Sequence, residues 1–217
     1  MDRLIDALKQ FENEINEVKD LQESFRKLAP AFLYGGYLQV RNDYFVYIRT
    51  VEFYFHSEKE QGIHDPIVYH RNRRDFNGNI LMEVPYFPLL TLHAHASGFD
   101  ITFESKQKEY RASVLIRAYE VMDKEKNYLI WDKGKRIFIK SKQYGYNTQS
   151  TYLYDLLNGF SLGNRSNIKW VDSQRKSSDL VGKPRKNVYQ SECDFVYKKI
   201  EDKRCQRPWS FTREEQV

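Results

Sequence analysis

The sequence predicts an α+β fold, and two observations predict it. A helix-period apolar stripe occupies the N-terminus, and a long series of β-branched and aromatic runs, separated by turn residues, follows it. Hydrophobic residues make up 41% of the 217 residues and aromatic residues 15%, with 16 Tyr and 14 Phe, enough for a packed core and too apolar for a disordered chain.

The stripe consists of Leu4, Leu8, Phe11, Ile15, Val18, Leu21, Phe25 and Leu28 at spacings of three and four. At 3.6 residues per turn these share one face, so one long amphipathic helix is expected over residues 1–30, with a single α+β domain over 31–217. Pro30 is expected to end the helix, because proline pushes the residue before it out of the α region. Such a stripe has two uses: packing along its own domain, or a coiled-coil seam that would make a homodimer.

Gly35-Gly36 reads as a turn, 37–41 as a strand and Asn42-Asp43 as a second turn. Tyr44 to Phe55 then reads as one long strand. Strict alternation along it puts Ile48, Thr50, Glu52 and Tyr54 on one face, and Arg49, Val51, Phe53 and Phe55 on the other. Residues 56–79 are polar and aperiodic and read as a long loop, a length usually associated with function. Strands are expected over 80–84, 89–95, 99–103 and 111–119, with Pro85 and Pro88 bracketing Tyr86-Phe87. Later strands are expected at 128–131, 137–139, 167–171, around Val188-Tyr189 and at 195–197, with a short helix over 150–157. Residues 173–187 read as a mobile basic loop, Pro208-Trp209 as the close of the fold, and the last five residues as fraying.

Lys and Arg number 35 against 30 Asp and Glu, a net charge of +5, with a sequence pI near 9.0. This mild excess is compatible with a nucleic-acid or phosphate partner. The two cysteines, Cys193 and Cys205, make no disulfide framework, so a reducing compartment is expected. No signal-like apolar core opens the chain and no run of about 18 apolar residues occurs, so the expected setting is cytoplasmic, away from any membrane.

Three constellations compete for the chemistry. All five histidines lie between His56 and His95. The first constellation is Glu52 with Tyr54, His70 and Arg117. A carboxylate beside apolar groups has a raised pKa and can act as a base on water, whereas an ordinary cross-sheet ion pair with Arg117 would be structural. The second is a metal site, in which His93 and His95 on one strand face are completed by His64, Asp65 and His70; the spacing fits no named zinc motif, and no metal is the expectation. The third is a basic set with interleaved aromatics for nucleic acid: Arg71, Arg73 and Arg74 in the first loop, and Lys176, Lys183, Arg185 and Lys186 in the late one. No phosphate-binding glycine loop, nucleophile elbow or CxxC pair is present.

The order of blocks resembles the 3-methyladenine (alkylpurine) DNA glycosylase family. Val51-Glu52-Phe53-Tyr54 resembles its Thr-Glu-Ala-Tyr strand, and Asp65-Pro66-Ile67-Val68-Tyr69-His70-Arg71-Asn72 its Asp-Pro-Ala-Ser-His loop with a following Arg-Asn. Gly98-Phe99-Asp100-Ile101 stands where the family has strands ending in Asn, and Val114-Leu115-Ile116-Arg117-Ala118 resembles its Val-Leu-Leu-Arg-Ala. The resemblance covers roughly residues 37–120; Gly182-Lys183-Pro184-Arg185 and Arg207-Pro208-Trp209 loosely match the family's tail. It implies a curved antiparallel sheet or open barrel like the formyltransferase C-terminal domain, and hydrolysis of a flipped base from DNA without a cofactor. It further implies Glu52 as general base, Arg117 as the residue that positions water, and Tyr54 and His70 on the base. Asp100 replaces the family's Asn, the loop before His70 is longer, so that His64 could take its role, and the wedge tyrosine is not evident, His93 being nearest. A non-catalytic binding protein of the same fold is the alternative, and a histidine-based metallohydrolase a weaker one.

Overall fold

The computed structural model describes residues 2–15, 21–40, 42–59, 61–65, 67–75, 77–95, 98–125, 128–130, 168–173, 178–185, 189–193, 196–199 and 207–213. Two helices, α1 (Asp2–Glu14) and α2 (Leu21–Leu33), precede strands β1 (Gly36–Val40), β2 (Tyr44–Ser57), β3 (Arg73–Arg74), β4 (Ile80–Met82), β5 (Leu92–His95), β6 (Gly98–Thr102), β7 (Tyr110–Asp123), β8 (Tyr128–Ile130), β9 (Ile168–Asp172), β10 (Tyr189–Cys193), β11 (Val196–Lys199) and β12 (Ser210–Thr212). The class is α+β. The main sheet is a strongly curled antiparallel half-barrel in the order β5-β6-β7-β2-β1-β9, with β12 added to β2 and β8 to β7.

The stripe expected to form one helix is divided between two. A single helix over 3–28 would be roughly 39 Å long. Two shorter helices instead fold together, so that Leu4, Leu8 and Phe11 of α1 and Phe25, Leu28 and Phe32 of α2 all reach one core. The Phe11 and Phe25 rings stack at 5.5 Å, and Phe25 stacks on Phe53 of β2 at 4.5 Å. Of the stripe, Leu4, Leu8, Phe11, Leu21, Phe25 and Leu28 are therefore buried within their own chain. Pro30 does not end α2. It removes one amide donor, but its carbonyl accepts from Tyr34 N and Gly35 N at 2.9 and 3.1 Å, and burial of Phe32 and Leu33 holds the last turn.

The largest departure from expectation lies inside β2. Register runs Ile48↔Tyr119, Thr50↔Ala118, Val51↔Ile116. Arg49 is thus an extra residue on β2, and Arg117 an extra residue on β7 immediately beside it. The two bulges cancel in register but change parity on both strands. Core residues are Val46 and Ile48 before the bulge and Val51, Phe53 and Phe55 after it; on β7 they are Ala112, Val114 and Ile116, then Tyr119 and Val121. Ile48 therefore does not share a face with Glu52 as strict alternation required.

Smaller differences have local causes. The 56–79 segment contains β3, which pairs with β4 as a hairpin whose tip is tied by the Asp75 carboxylate to Asn77 N and Asn79 N, both at 2.8 Å. The strand expected from residue 89 starts at Leu92, because Leu90 has φ of 60° and its amide turns to the Thr102 carbonyl at 2.8 Å. β12 was not expected as a strand, and Arg213, expected to fray, is buried, donating to Glu120 Oε2 at 3.0 Å. The strand expected at 137–139, the helix at 150–157, Lys176, Lys186 and residues 214–217 lie outside the described residues.

Candidate functional site

β2, β6 and β7 present an apolar face to the helices and a polar face away from them. Residues opposed across antiparallel strands share a face. Pairing runs His93↔Asp100, Asp100↔Leu115, Glu52↔Leu115 and Ser210↔Glu52. One row therefore crosses five strands on the polar face: His93, Asp100, Leu115, Glu52, Ser210. The next row is Thr102, Ser113 and Tyr54. Glu52 and Asp100 are buried at 1% and 2% exposure, while His93 and Tyr54 are half-buried.

Glu52 and Arg117 meet. Arg117 Nε donates to Glu52 Oε2 at 2.8 Å, and Tyr54 Oη donates to the same oxygen at 3.1 Å. The bulge at Arg117 aims this guanidinium along the polar face, and its side chain keeps 25% exposure, so the cluster opens outward. Burial alone would lower the Arg117 pKa; the Glu52 carboxylate and hydrogen bonds to Glu52 and Tyr54 more than offset it and hold it above the ordinary value. Burial, and then Glu52, push the Tyr54 phenol up, so it stays protonated and a donor. The Arg185 guanidinium lies 4.7 Å over the Tyr54 ring and bonds Asp65 Oδ2 at 2.7 Å and the Phe53 carbonyl at 3.3 Å.

His70 packs against the second row of this face, at Ser113. It is 2% exposed, its Nδ1 meets Glu104 Oε1, and its Nε2 is 3.4 Å from Ser113 Oγ. Ser113 in turn donates to Asp100 Oδ2 at 3.0 Å. Tyr69, its neighbour in sequence, is the residue that reaches the row: its hydroxyl is 2.6 Å from His93 Nδ1. Phe87 packs its ring 4.9 Å from His93. His64 is exposed, bonded through Nε2 to the Lys59 carbonyl at 2.7 Å and facing the His56 ring at 5.3 Å.

The histidines thus separate into three settings, and the His95 side chain lies outside the described residues. Among the described residues no group of three or more His, Cys, Asp or Glu is gathered as a metal site.

The expected basic set is divided as well. Arg71 and Arg185 are buried at 7% and 6%. Arg73 and Arg74 are half-buried on the β3 hairpin, Arg74 donating to the Gly78 carbonyl at 2.8 Å. Lys183 is exposed; its backbone exchanges two bonds with Ser210, pinning the strand next to Glu52.

Sequence reasoning missed Arg111. It is 1% exposed and donates to Glu58 Oε1 at 3.1 Å, Glu104 Oε2 at 3.3 Å, Asn72 Oδ1 at 3.3 Å and the Val84 carbonyl at 2.6 Å, with its guanidinium 3.5 Å over the Tyr86 ring. This one side chain ties the 58–87 segment to the sheet that carries Glu52. The available signal was an arginine inside a strand run, in phase with Ser113 and Leu115 rather than with the apolar positions.

Chemically, the face offers a buried carboxylate held by two donors, aromatic side walls, and a second carboxylate linked to two imidazoles. Such a set can take a proton from water and hold a flat polar ring. No family model matches the chain, and neither a curated protein nor a solved structure matches it.

Proposed function

We propose that the chain is a divergent purine N-glycosylase, a hydrolase that cleaves the N-glycosidic bond of a modified base flipped from DNA. The observation that carries this reading is the convergence of Glu52, Arg117 and Tyr54 on one polar sheet face, with both donors on Glu52 Oε2. Glu52 takes the proton of a water whose oxygen attacks C1′; Arg117, bonded to Glu52 Oε2 at 2.8 Å, positions that water. Tyr54 and the rings of Tyr69 and Phe87 hold the base, and the half-buried Arg73 and Arg74 with exposed Lys183 supply contacts to the DNA backbone.

The second reading is a non-catalytic binder of a nucleotide or nucleic acid on the same face. Burial of Arg71 and Arg185 favours its nucleotide form, since side chains enclosed in the fold add little to the backbone-binding surface that a duplex needs.

The test is base release. Duplex oligonucleotides carrying hypoxanthine, ethenoadenine or 3-methyladenine are incubated with the wild type and with Glu52→Gln, then probed for abasic sites. General-base help is worth about 10²–10⁴-fold, so the variant should lose about that much. Binding without release from any substrate would favour the second reading, and release undiminished in Glu52→Gln would remove Glu52 from the chemistry.

A further inference from the structure

At the far end of the polar row stands His93, and its tautomer can be argued by counting hydrogens. Tyr69 Oη lies 2.6 Å from His93 Nδ1 and is also hydrogen-bonded to the Asp100 carboxylate. A phenol has one proton. That proton is donated to the Asp100 carboxylate oxygen, so toward His93 the phenol oxygen accepts. Nδ1 of His93 therefore carries its hydrogen, and the neutral ring presents Nε2 as a base. Burial first, and then Asp100, push the Tyr69 phenol up, so it does not surrender the proton that fixes this order.

The groups around His93 point the same way. Tyr69 faces it from the 67–72 segment, Asp100 pairs with it from β6, and Phe87 packs on it from the segment before β5. Behind Tyr69 stand His70, 4.9 Å ring to ring, and Glu104, which meets His70 Nδ1. Asp100 is anchored by Ser113 at 3.0 Å, so the carboxylate cannot swing away. When Nε2 takes up a proton, the imidazolium is bonded through Tyr69 to a buried carboxylate, an arrangement that stabilises the cation and fixes the ring plane.

We propose that His93 is an acid–base residue at the opposite end of the site from Glu52, and that Tyr69 and Asp100 are its positioning residues. Three strand spacings separate the two along the row, about 14 Å between backbones. Each side chain projects several ångströms from its strand, and the buried Leu115 floors the interval between them, which suits a bicyclic base. This role rests on the glycosylase reading, and the step balances. Water oxygen bonds to C1′, its proton passes to Glu52, the C1′–N bond breaks, and the departing purine nitrogen keeps the electron pair and takes the proton from His93 Nε2. Glu52 then releases its proton to solvent and His93 is reprotonated from it.

The first measurement needs no activity. The full chain, labelled with ¹⁵N, is read by imidazole nitrogen–proton correlation at about pH 8, above the ordinary histidine range of ~6.5. His93→Gln identifies the resonance by its loss. The wild type should show His93 with hydrogen on Nδ1 and none on Nε2. Tyr69→Phe, which removes the accepting oxygen, should release the ring to a tautomer mixture while the other histidines keep their patterns. A wild-type ring with hydrogen on Nε2, or one unaffected by Tyr69→Phe, overturns the inference. The second measurement is base release by His93→Gln, expected to fall about 10²–10⁴-fold and to lose the alkaline limb of its pH profile, since the proton donor must be charged to act. Release equal to wild type, in a protein where Glu52→Gln is still impaired, overturns the role of His93 and leaves the glycosylase reading standing. No release by the wild type from any substrate overturns both.

Discussion

Arg111→Met should be among the most damaging single changes in the chain outside the aromatic core. The native guanidinium is 1% exposed, and its two carboxylate partners, Glu58 and Glu104, have side chains only 5% and 0% exposed. Methionine occupies a similar volume, so the change tests charge and hydrogen bonding rather than a cavity. Removing one partner of a buried ion pair costs about 3–5 kcal/mol, because the remaining charge stays in a poor solvent. For a chain of this size each kcal/mol moves the melting temperature by about 2–4 °C, so the midpoint should drop by about 6–20 °C. The assay is thermal unfolding followed by circular dichroism, repeated as urea unfolding to check that the slope is unchanged. Arg111→Lys keeps the charge but not the planar fork that reaches Glu58, Glu104, Asn72 and Val84 together, so it should fall between wild type and Met. A shift under about 3 °C for the Met variant would refute the claim that this side chain ties the 58–87 segment to the sheet.

Two further predictions concern stability. Burial pushes the His56 imidazole down to about 4; Glu58 opposes this, and Arg71 and His64 reinforce it. The ring is held neutral, with the Asp65 amide donating to Nδ1 at 3.2 Å. Because the folded value lies below the unfolded ~6.5, the unfolded chain binds the proton first. The His56 contribution is complete above about pH 6.5 and is lost as pH falls toward about 4, so urea midpoints should decline across that window and His56→Gln should flatten the decline; an unchanged slope in the variant refutes it. Gly36→Ala should destabilise by about 1–3 kcal/mol, because its Cβ would stand 2.4 Å from the Val171 carbonyl oxygen and 2.6 Å from the Trp170 ring; an unchanged urea midpoint would show that β1 and β9 do not pack as closely as described.

The strands that carry the site were legible because their side chains are β-formers bounded by turns: Tyr44 to Phe55 and Arg111 to Tyr119 were found within a few residues of β2 and β7. Their facing was only half legible. Phe53 and Val51 belong to the core as alternation requires, but Ile48 does too, because the paired bulges at Arg49 and Arg117 change parity on both strands together. A bulge is a property of two strands, and one strand's sequence carries no register. The neighbouring residues Tyr69 and His70 make the same point at the site. Both stand in the segment marked out by its polarity and histidines, yet it is Tyr69 that reaches the row and His70 that is enclosed against Glu104.

The sequence by itself determined the class of the fold, the apolar stripe that covers the sheet, and the candidate pair Glu52 and Arg117. The first two follow from local periodicity, and the pair from side-chain chemistry at two strand positions together with the order of the blocks around them. Tertiary structure alone decided that the stripe folds into two helices, that Arg185 covers the Tyr54 ring while pairing with Asp65, 120 residues before it, and that Arg111 organises the 58–87 segment. It also brought the Tyr69 hydroxyl within 2.6 Å of His93 Nδ1. Those outcomes depend on which buried charge finds which counter-charge, because the cost of leaving a charge unpaired is paid only once the surrounding chain has excluded water.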